Sequence, residues 1–353
     1  MKARIKRLYQ NLESNQLDGL LISQPSNISY LLNFTSHDSY LIASPGGNFY
    51  FTDSRYTEMA QKELKGSALL KKINGSVFKL IAETCISSKF SRLGFEERNL
   101  PFAEYRKIRG YLGKKCALVP MHSLVEELRQ IKEAAEIKNI REALKIHALA
   151  IKYIEMLLKP GRKELEIAAE IEHFIRYHGA TGSAFETIVA SGPNSSQPHH
   201  IPSERKLLKN EPVLIDMGVN YLGYKTDLTR VFFLGKISIL CRKVYDIVRE
   251  AQAKAIAKIE PGRKISSIDA AARNHISRNG FGDCFGHNLG HGIGLEVHEE
   301  PHISAKAEVP LLSGTVFTVE PAIYLPGKFG IRIEDMVLVT RKGCEVLSGA
   351  INK

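Results

Sequence analysis

The chain has 353 residues, 44% of them apolar and 25% charged, with a formal net charge of +11. That length and balance suit one large domain with a smaller one, each able to bury a core, and exclude disordered, collagen-like and coiled-coil classes. The basic residues are spread along the chain without zinc-finger spacing, an RNP-like motif or a long Lys/Arg block, which argues against nucleic acid as a partner.

The N-terminal stretch MKARIKRLYQNLESNQ reads as a charged amphipathic helix without the apolar core of a signal peptide. No 18-residue apolar run follows, so the expectation is a protein neither secreted nor membrane-spanning. Five cysteines, odd in number and never spaced C-x-x-C, argue against a disulfide framework and a thiolate zinc site and fit a reducing cytoplasm. Residues 1–122 alternate short apolar runs with helical patterns, as in a small α/β domain. Strands are expected at 17–23, 40–44, 49–53, 92–97 and 116–120. The helical patterns YTEMAQKEL and VFKLIAETCISSK lie between them, and SPGG marks a hairpin turn.

Residues 123–353 form the second expected domain. A helical pattern runs from Leu124, breaks at Pro160-Gly161, and resumes to Gly179, a natural helix stop. The stretch PGRK at 160–163 recurs at 261–264, and at the same offset of 101 Ile167 matches Ile268, Ile175 matches Ile276 and Gly179 matches Gly280. Each copy follows a long helical pattern and precedes a helix and strands, so this domain reads as two related halves.

Each half ends in a hairpin pattern carrying acids. In EPVLIDMGVNYLGYKTDLTRVFFLG a turn centred between Tyr221 and Leu222 places Asp216 opposite Asp227. In GTVFTVEPAIYLPGKFGIRIEDMVLVT a turn centred on Gly327 places Glu320 opposite Glu334. Like charges facing across a strand pair destabilise it, and a divalent cation is the simplest compensation. Two such pairs in corresponding places point to a dinuclear metal site rather than a surface accident. Between the hairpins lies GHNLGHGIGLEVHEEP, with His287, His291 and His298 on a glycine-rich backbone able to approach a ligand closely.

DMGVNYLGYKTDLTR, GHGIGLEVHEEP, TVEPAIY and IRIED together resemble the pita-bread metallopeptidases, the group of methionine aminopeptidase, Xaa-Pro aminopeptidase (aminopeptidase P) and Xaa-Pro dipeptidase (prolidase). NISYLLNF and FTDSRY resemble the N-terminal domain of the proline-specific branch. The resemblance implies a creatinase-like α/β domain followed by an α+β pita-bread catalytic domain with a pseudo-twofold repeat. It implies metal ligands Asp216, Asp227, His291, Glu320 and Glu334. Asp216 would hold one ion, Asp227 and Glu334 would bridge both, and His291 and Glu320 would complete the other. Mn²⁺ is the leading ion, with Co²⁺, Zn²⁺ and Fe²⁺ compatible with such ligands. Glu320 is the implied proton shuttle and His298 the residue that stabilises the tetrahedral intermediate. His199 and His287 line the substrate pocket, Tyr324 lines it or packs in the core, and His200 is structural. Arg332, two residues before Glu334 and so on the same strand face, is a cation that supports the ligands or lines the pocket. The first expectation is a cytoplasmic, homodimeric aminopeptidase for peptides with proline second, favoured by His287 and the compact length. Its rival is an Xaa-Pro dipeptidase, and a metal-free or non-catalytic relative of the same fold is the remote alternative.

Overall fold

A computed structural model gives the structure of the protein and describes residues 2–353. Two compact units divide the chain, one up to Arg129 and one spanning Gln130–Lys353.

In the first unit, β1 (Gly19–Ile22), β2 (Ser39–Ala43), β3 (Phe49–Thr52), β4 (Leu69–Lys72), β5 (Arg92–Glu96) and β6 (Ala117–Met121) form one sheet, ordered β4-β3-β2-β1-β5-β6. β1, β2 and β3 pair antiparallel, whereas β4, β5 and β6 add in parallel. The apolar runs form strands because β1 is buried along its whole length and packs with Phe51, Leu93 and Ile81 in one core. β4 was not among the expected strands. Its LLKK sequence is largely solvent-facing, and lysines on an edge strand carry no apolar alternation to read.

The second unit is built twice. Helices Ala134–Leu157 and Glu164–Tyr177 pack with Val213, Ile215 and Leu228 in one core. Helices Ile239–Ile256 and Ile265–Arg278 pack with Phe317, Val319 and Val337 in the other. The helical pattern from Leu124 is interrupted earlier than expected, because Ile131 leaves the helix to bridge Thr315 and Lys132 N–H donates to Gly314. The repeat extends to single hydrogen bonds. Gly161 N–H donates to Leu207 and Gly262 N–H to Leu311, while Lys163 bridges Lys206 and Lys264 bridges Pro310.

Both acidic hairpins form, and the structure corrects the register of the first. Asp216 pairs with Thr229, not Asp227, and the two-residue turn is Leu222-Gly223, with φ of 49° and 85°. A tight hairpin of this kind needs left-handed backbone at both turn residues, and a leucine gives no warning of adopting it. The displacement is two residues along the partner strand, which preserves the face, so Asp227 still lies in the field of Asp216. In the second hairpin Ala322 pairs with Arg332 and Leu325 with Phe329, the register centred on Gly327. The adjoining ladder continues it with Val319 opposite Asp335, leaving Glu320 and Glu334 between two ladders.

Candidate metal centre

The two hairpins and the strand Gly290–Gly292 deliver acids and one imidazole to the floor of a cavity of about 740 Å³. Ligand-capable atoms of Asp227, His291 and Glu334 all lie within 4.8 Å of one another. The structure brings Asp216 and Glu320 to the same floor and sets His199, His287, His298, Tyr324 and Arg332 around it.

His291 is fixed by its neighbours. Gly290 and Gly292 flank it, and a Cβ at these positions would stand 1.9 Å from the Thr318 carbonyl oxygen and 2.2 Å from that of Glu300. Only glycine lets the strand fit there. Gly290→Ala is therefore expected to lower the melting temperature by about 10 °C and to scatter the ligand set. An unchanged melting curve with full metal content would contradict it. His291 Nδ1 lies 3.1 Å from the Gly292 carbonyl, which can only accept, so this nitrogen carries the proton. The bare Nε2 then faces Glu320 Oε1 at 3.3 Å and Asp227 Oδ2 at 3.5 Å. A lone pair turned toward two carboxylate oxygens describes a cation site. Burial, reinforced by His298, pushes the His291 pKa down to about 4, which keeps the ring neutral.

The carboxylates show the opposite shift. Burial, then the neighbouring acids Glu334, Asp216 and Glu320, hold Asp227 well above the usual carboxylate range. Burial, Glu320 and Asp216 do the same to Glu334. Burial raises Glu320 to about 8, with Arg332 opposing and Asp216 adding to the rise. Asp216 Oδ1 and Glu334 Oε1 are buried and make no hydrogen bond, a costly arrangement for carboxylate oxygens. Orphaned oxygens, mutually repelling acids and a neutral nitrogen fit divalent cations of the Mn²⁺, Co²⁺, Fe²⁺ or Zn²⁺ type.

A buried network, in which only Arg332 was expected from its strand face, orients these side chains. Thr229 donates to Glu334 Oε2 at 2.7 Å and accepts from Arg332 Nε at 2.9 Å. Arg332 also donates to Asp216 Oδ2 at 2.5 Å and to the Tyr324 hydroxyl at 2.6 Å. Thr318 accepts from His291 N–H and donates to Glu320 Oε1, both at 3.1 Å. The available signal was alternation, since Thr229 follows Asp227, and Glu320 follows Thr318, by two. Arg230, almost wholly buried, holds the Glu334 carbonyl and pairs with Asp335 at 2.8 Å.

The cavity walls carry the other histidines. His298 stacks edge-on to His291 with ring centroids 4.2 Å apart, yet is not among the clustered ligand atoms. His287 Nε2 lies 3.3 Å from the Tyr324 hydroxyl, and its Nδ1 is 3.9 Å from Glu320. His200, at the cavity edge beside His199, bonds Glu164 at 2.9 Å.

A duplicated α+β unit whose paired hairpins direct acids and one histidine into a shared cavity defines the pita-bread metallopeptidase class. Residues 138–341 match the model of metallopeptidase family M24, and residues 4–131 match the creatinase/prolidase N-terminal domain. The chain belongs to the M24 metallopeptidase family, in its prolidase and aminopeptidase P type. It is 33% identical to the Xaa-Pro dipeptidase of Pyrococcus horikoshii over 351 residues, covering 99% of this chain and 97% of that one. Its structure superposes on the Xaa-Pro dipeptidase from Bacillus anthracis with a TM-score of 0.94 and 36% identity, covering 98% and 97% of the two chains. The X-Pro aminopeptidase from Thermotoga maritima gives a TM-score of 0.89 at 36% identity with the same coverage.

Proposed function

We propose that this protein is a dinuclear-metal Xaa-Pro dipeptidase of the cytoplasm. The observation that carries the metal chemistry is the set of buried carboxylates with orphaned oxygens around a neutral His291. The dipeptidase preference rests on relatives of that name that align with both units at matching length. Matching length also removes compactness as an argument for the aminopeptidase, which stays as the second reading because this chain is 36% identical to the Thermotoga maritima aminopeptidase as it is to the Bacillus anthracis dipeptidase.

In this reading Asp216, Asp227, His291, Glu320 and Glu334 hold two divalent ions, Mn²⁺ first. Such ions supply Lewis acidity, acidifying water and polarising the scissile carbonyl. Of the acids, Glu320 is the one suited to moving a proton. Its side chain is 15% exposed toward the cavity, against 2% exposure of the Glu334 residue. That access lets it accept a proton from the attacking water and pass it to the departing proline nitrogen. Arg332 aims Asp216 by its hydrogen bond, and Thr229 does the same for Glu334. His199 and His287 contact the peptide from the walls, and His298 faces the carbonyl under attack. A proline nitrogen in a peptide bond bears no hydrogen, so the scissile bond offers the site no N–H donor and the ring itself must be accommodated.

The test is a comparison of Xaa-Pro dipeptides with Xaa-Pro-Yaa tripeptides under added Mn²⁺, Co²⁺ or Zn²⁺. The dipeptide is expected to give a kcat/KM more than about tenfold higher. The reverse ratio would establish the aminopeptidase, and no hydrolysis with any ion would remove both.

A further inference from the structure

Glu164 opens the helix Glu164–Tyr177 with no exposed surface, and neither the metal centre nor the proposed chemistry uses it. Its carboxylate accepts from Ser191 N–H and Oγ at 2.7 Å each, Asn194 Nδ2 at 3.1 Å, His200 Nε2 at 2.9 Å and Ser203 Oγ at 2.6 Å. Every one of these donors lies on the single segment 191–203. Burial pushes the Glu164 pKa up, but the hydrogen bonds from Ser203, Ser191 and His200 outweigh it and hold the group below its ordinary value. It is a buried carboxylate fully occupied with one loop.

The internal repeat shows that the fold does not require a charge there. Glu164 N–H donates to Arg205 and Ile265 N–H to Val309, so the two residues occupy the same joint in the two halves. Ile265 is equally buried. The second half builds the joint with an aliphatic side chain, which costs far less to bury than a carboxylate. The charge therefore serves the conformation of the 191–203 segment, which carries every donor to Glu164 and where Pro198, His199 and Ile201 form a wall of the cavity. Its other side is pinned to the second hairpin, where Ser195 Oγ accepts from Gly330 N–H at 2.8 Å. Both His199 and His200 reach the cavity, and His200 ties this wall to Glu164.

We propose that Glu164 is the positioning residue of the substrate pocket, fixing through Ser191, His200 and Ser203 the wall that presents His199 and Ile201 to the bound peptide. The proposal rests on the reading of this cavity as a peptide site. Glu164→Gln keeps the side-chain shape and removes the charge. In the metal-loaded enzyme it is expected to raise KM for an Xaa-Pro peptide about tenfold, the scale of one charge-assisted hydrogen bond, with metal content and kcat within about twofold of wild type. In a His199→Ala background the same change should add less than about twofold, because coupled residues are not additive. Ser203→Ala, which deletes one donor, should raise KM about threefold and covers the case of a Glu164→Gln protein that does not fold. Amide exchange should also quicken across 192–203 in the variant while strands Pro212–Met217 and Asp335–Val339 keep wild-type protection. Wild-type KM and exchange in the variants, additive effects with His199→Ala, or metal loss with KM unchanged would each overturn the proposal. A wild-type enzyme inert toward Xaa-Pro peptides would instead remove the functional reading, and the exchange measurement would still decide the role of Glu164.

Discussion

Asp227→Asn and Glu334→Gln are expected to lose bound metal and nearly all turnover, while their metal-free forms melt higher than metal-free wild type. The loss of rate should reach roughly three orders of magnitude or more, since the acidified water would return toward its bulk pKa of about 15.7. The gain in stability follows from the same burial. In the metal-free protein Asp227, Glu320 and Glu334 repel one another at the cavity floor. A neutral amide at one position relieves that repulsion, by about 1–3 kcal/mol. The sign with pH is definite. Glu320 goes from an ordinary 4.5 to about 8 on folding, so between those values the folded state holds more protons than the unfolded one. Its contribution is fully present below the lower value and is lost as pH rises through the higher. Metal-free wild type should therefore melt progressively lower from about pH 5 to pH 8, with a shallower slope in either variant. Saturating Mn²⁺ should lift wild type by about 2.7 kcal/mol at a hundredfold excess over Kd and should leave the variants nearly unmoved. Calorimetry in chelator and in Mn²⁺ across that range checks both signs. A wild-type melting temperature that rises with pH in chelator would defeat the argument.

The parts of this arrangement legible in the sequence were those carried by periodicity and by glycine. The second hairpin is centred on Gly327, whose φ of 71° is what a loop glycine advertises. The first is not, because Leu222 takes a left-handed conformation that its side chain disfavours and that only the surrounding sheet imposes. The face of Asp227 survived that error because a sheet repeats every two residues. β4 escaped notice for lack of apolar alternation, and the break at Ile131 because its cause, a bridge to Thr315, lies far away in sequence. Thr229 and Thr318 share a strand face with an acid, but their roles, like that of Arg230, were hidden for a related reason. Each acts on a ligand from the other hairpin or from the histidine strand, and such pairings exist only once the strands are brought together. The contrast between Glu164 and Ile265 was present in the repeat all along, but a charge at the start of a helix reads as an ordinary favourable first-turn residue until its burial is known.

His298→Ala is expected to keep its metal and lose turnover, by about 10²–10³ in kcat, whereas His291→Ala should lose the metal itself. Both rings lie side by side, so sequence spacing alone could have assigned either as ligand. The backbone separates them. His291 sits on a strand squeezed between Thr318 and Glu300, its Nδ1 tied to Gly292 and its Nε2 held among the acids. His298 stands in the bend before the strand Glu299–Ile303, on the cavity wall, with partial desolvation there and then His302 and His199 lowering its pKa. A neutral imidazole there has one N–H to offer to charge developing on the carbonyl oxygen during attack, an interaction that strengthens only as the reaction proceeds. Removing it should therefore lower kcat with little change in KM, the pattern of a contact made in the transition state rather than in the bound peptide. Metal analysis of both alanine variants beside their steady-state kinetics distinguishes the two roles. Metal lost from the His298 variant and retained in the His291 variant would exchange them.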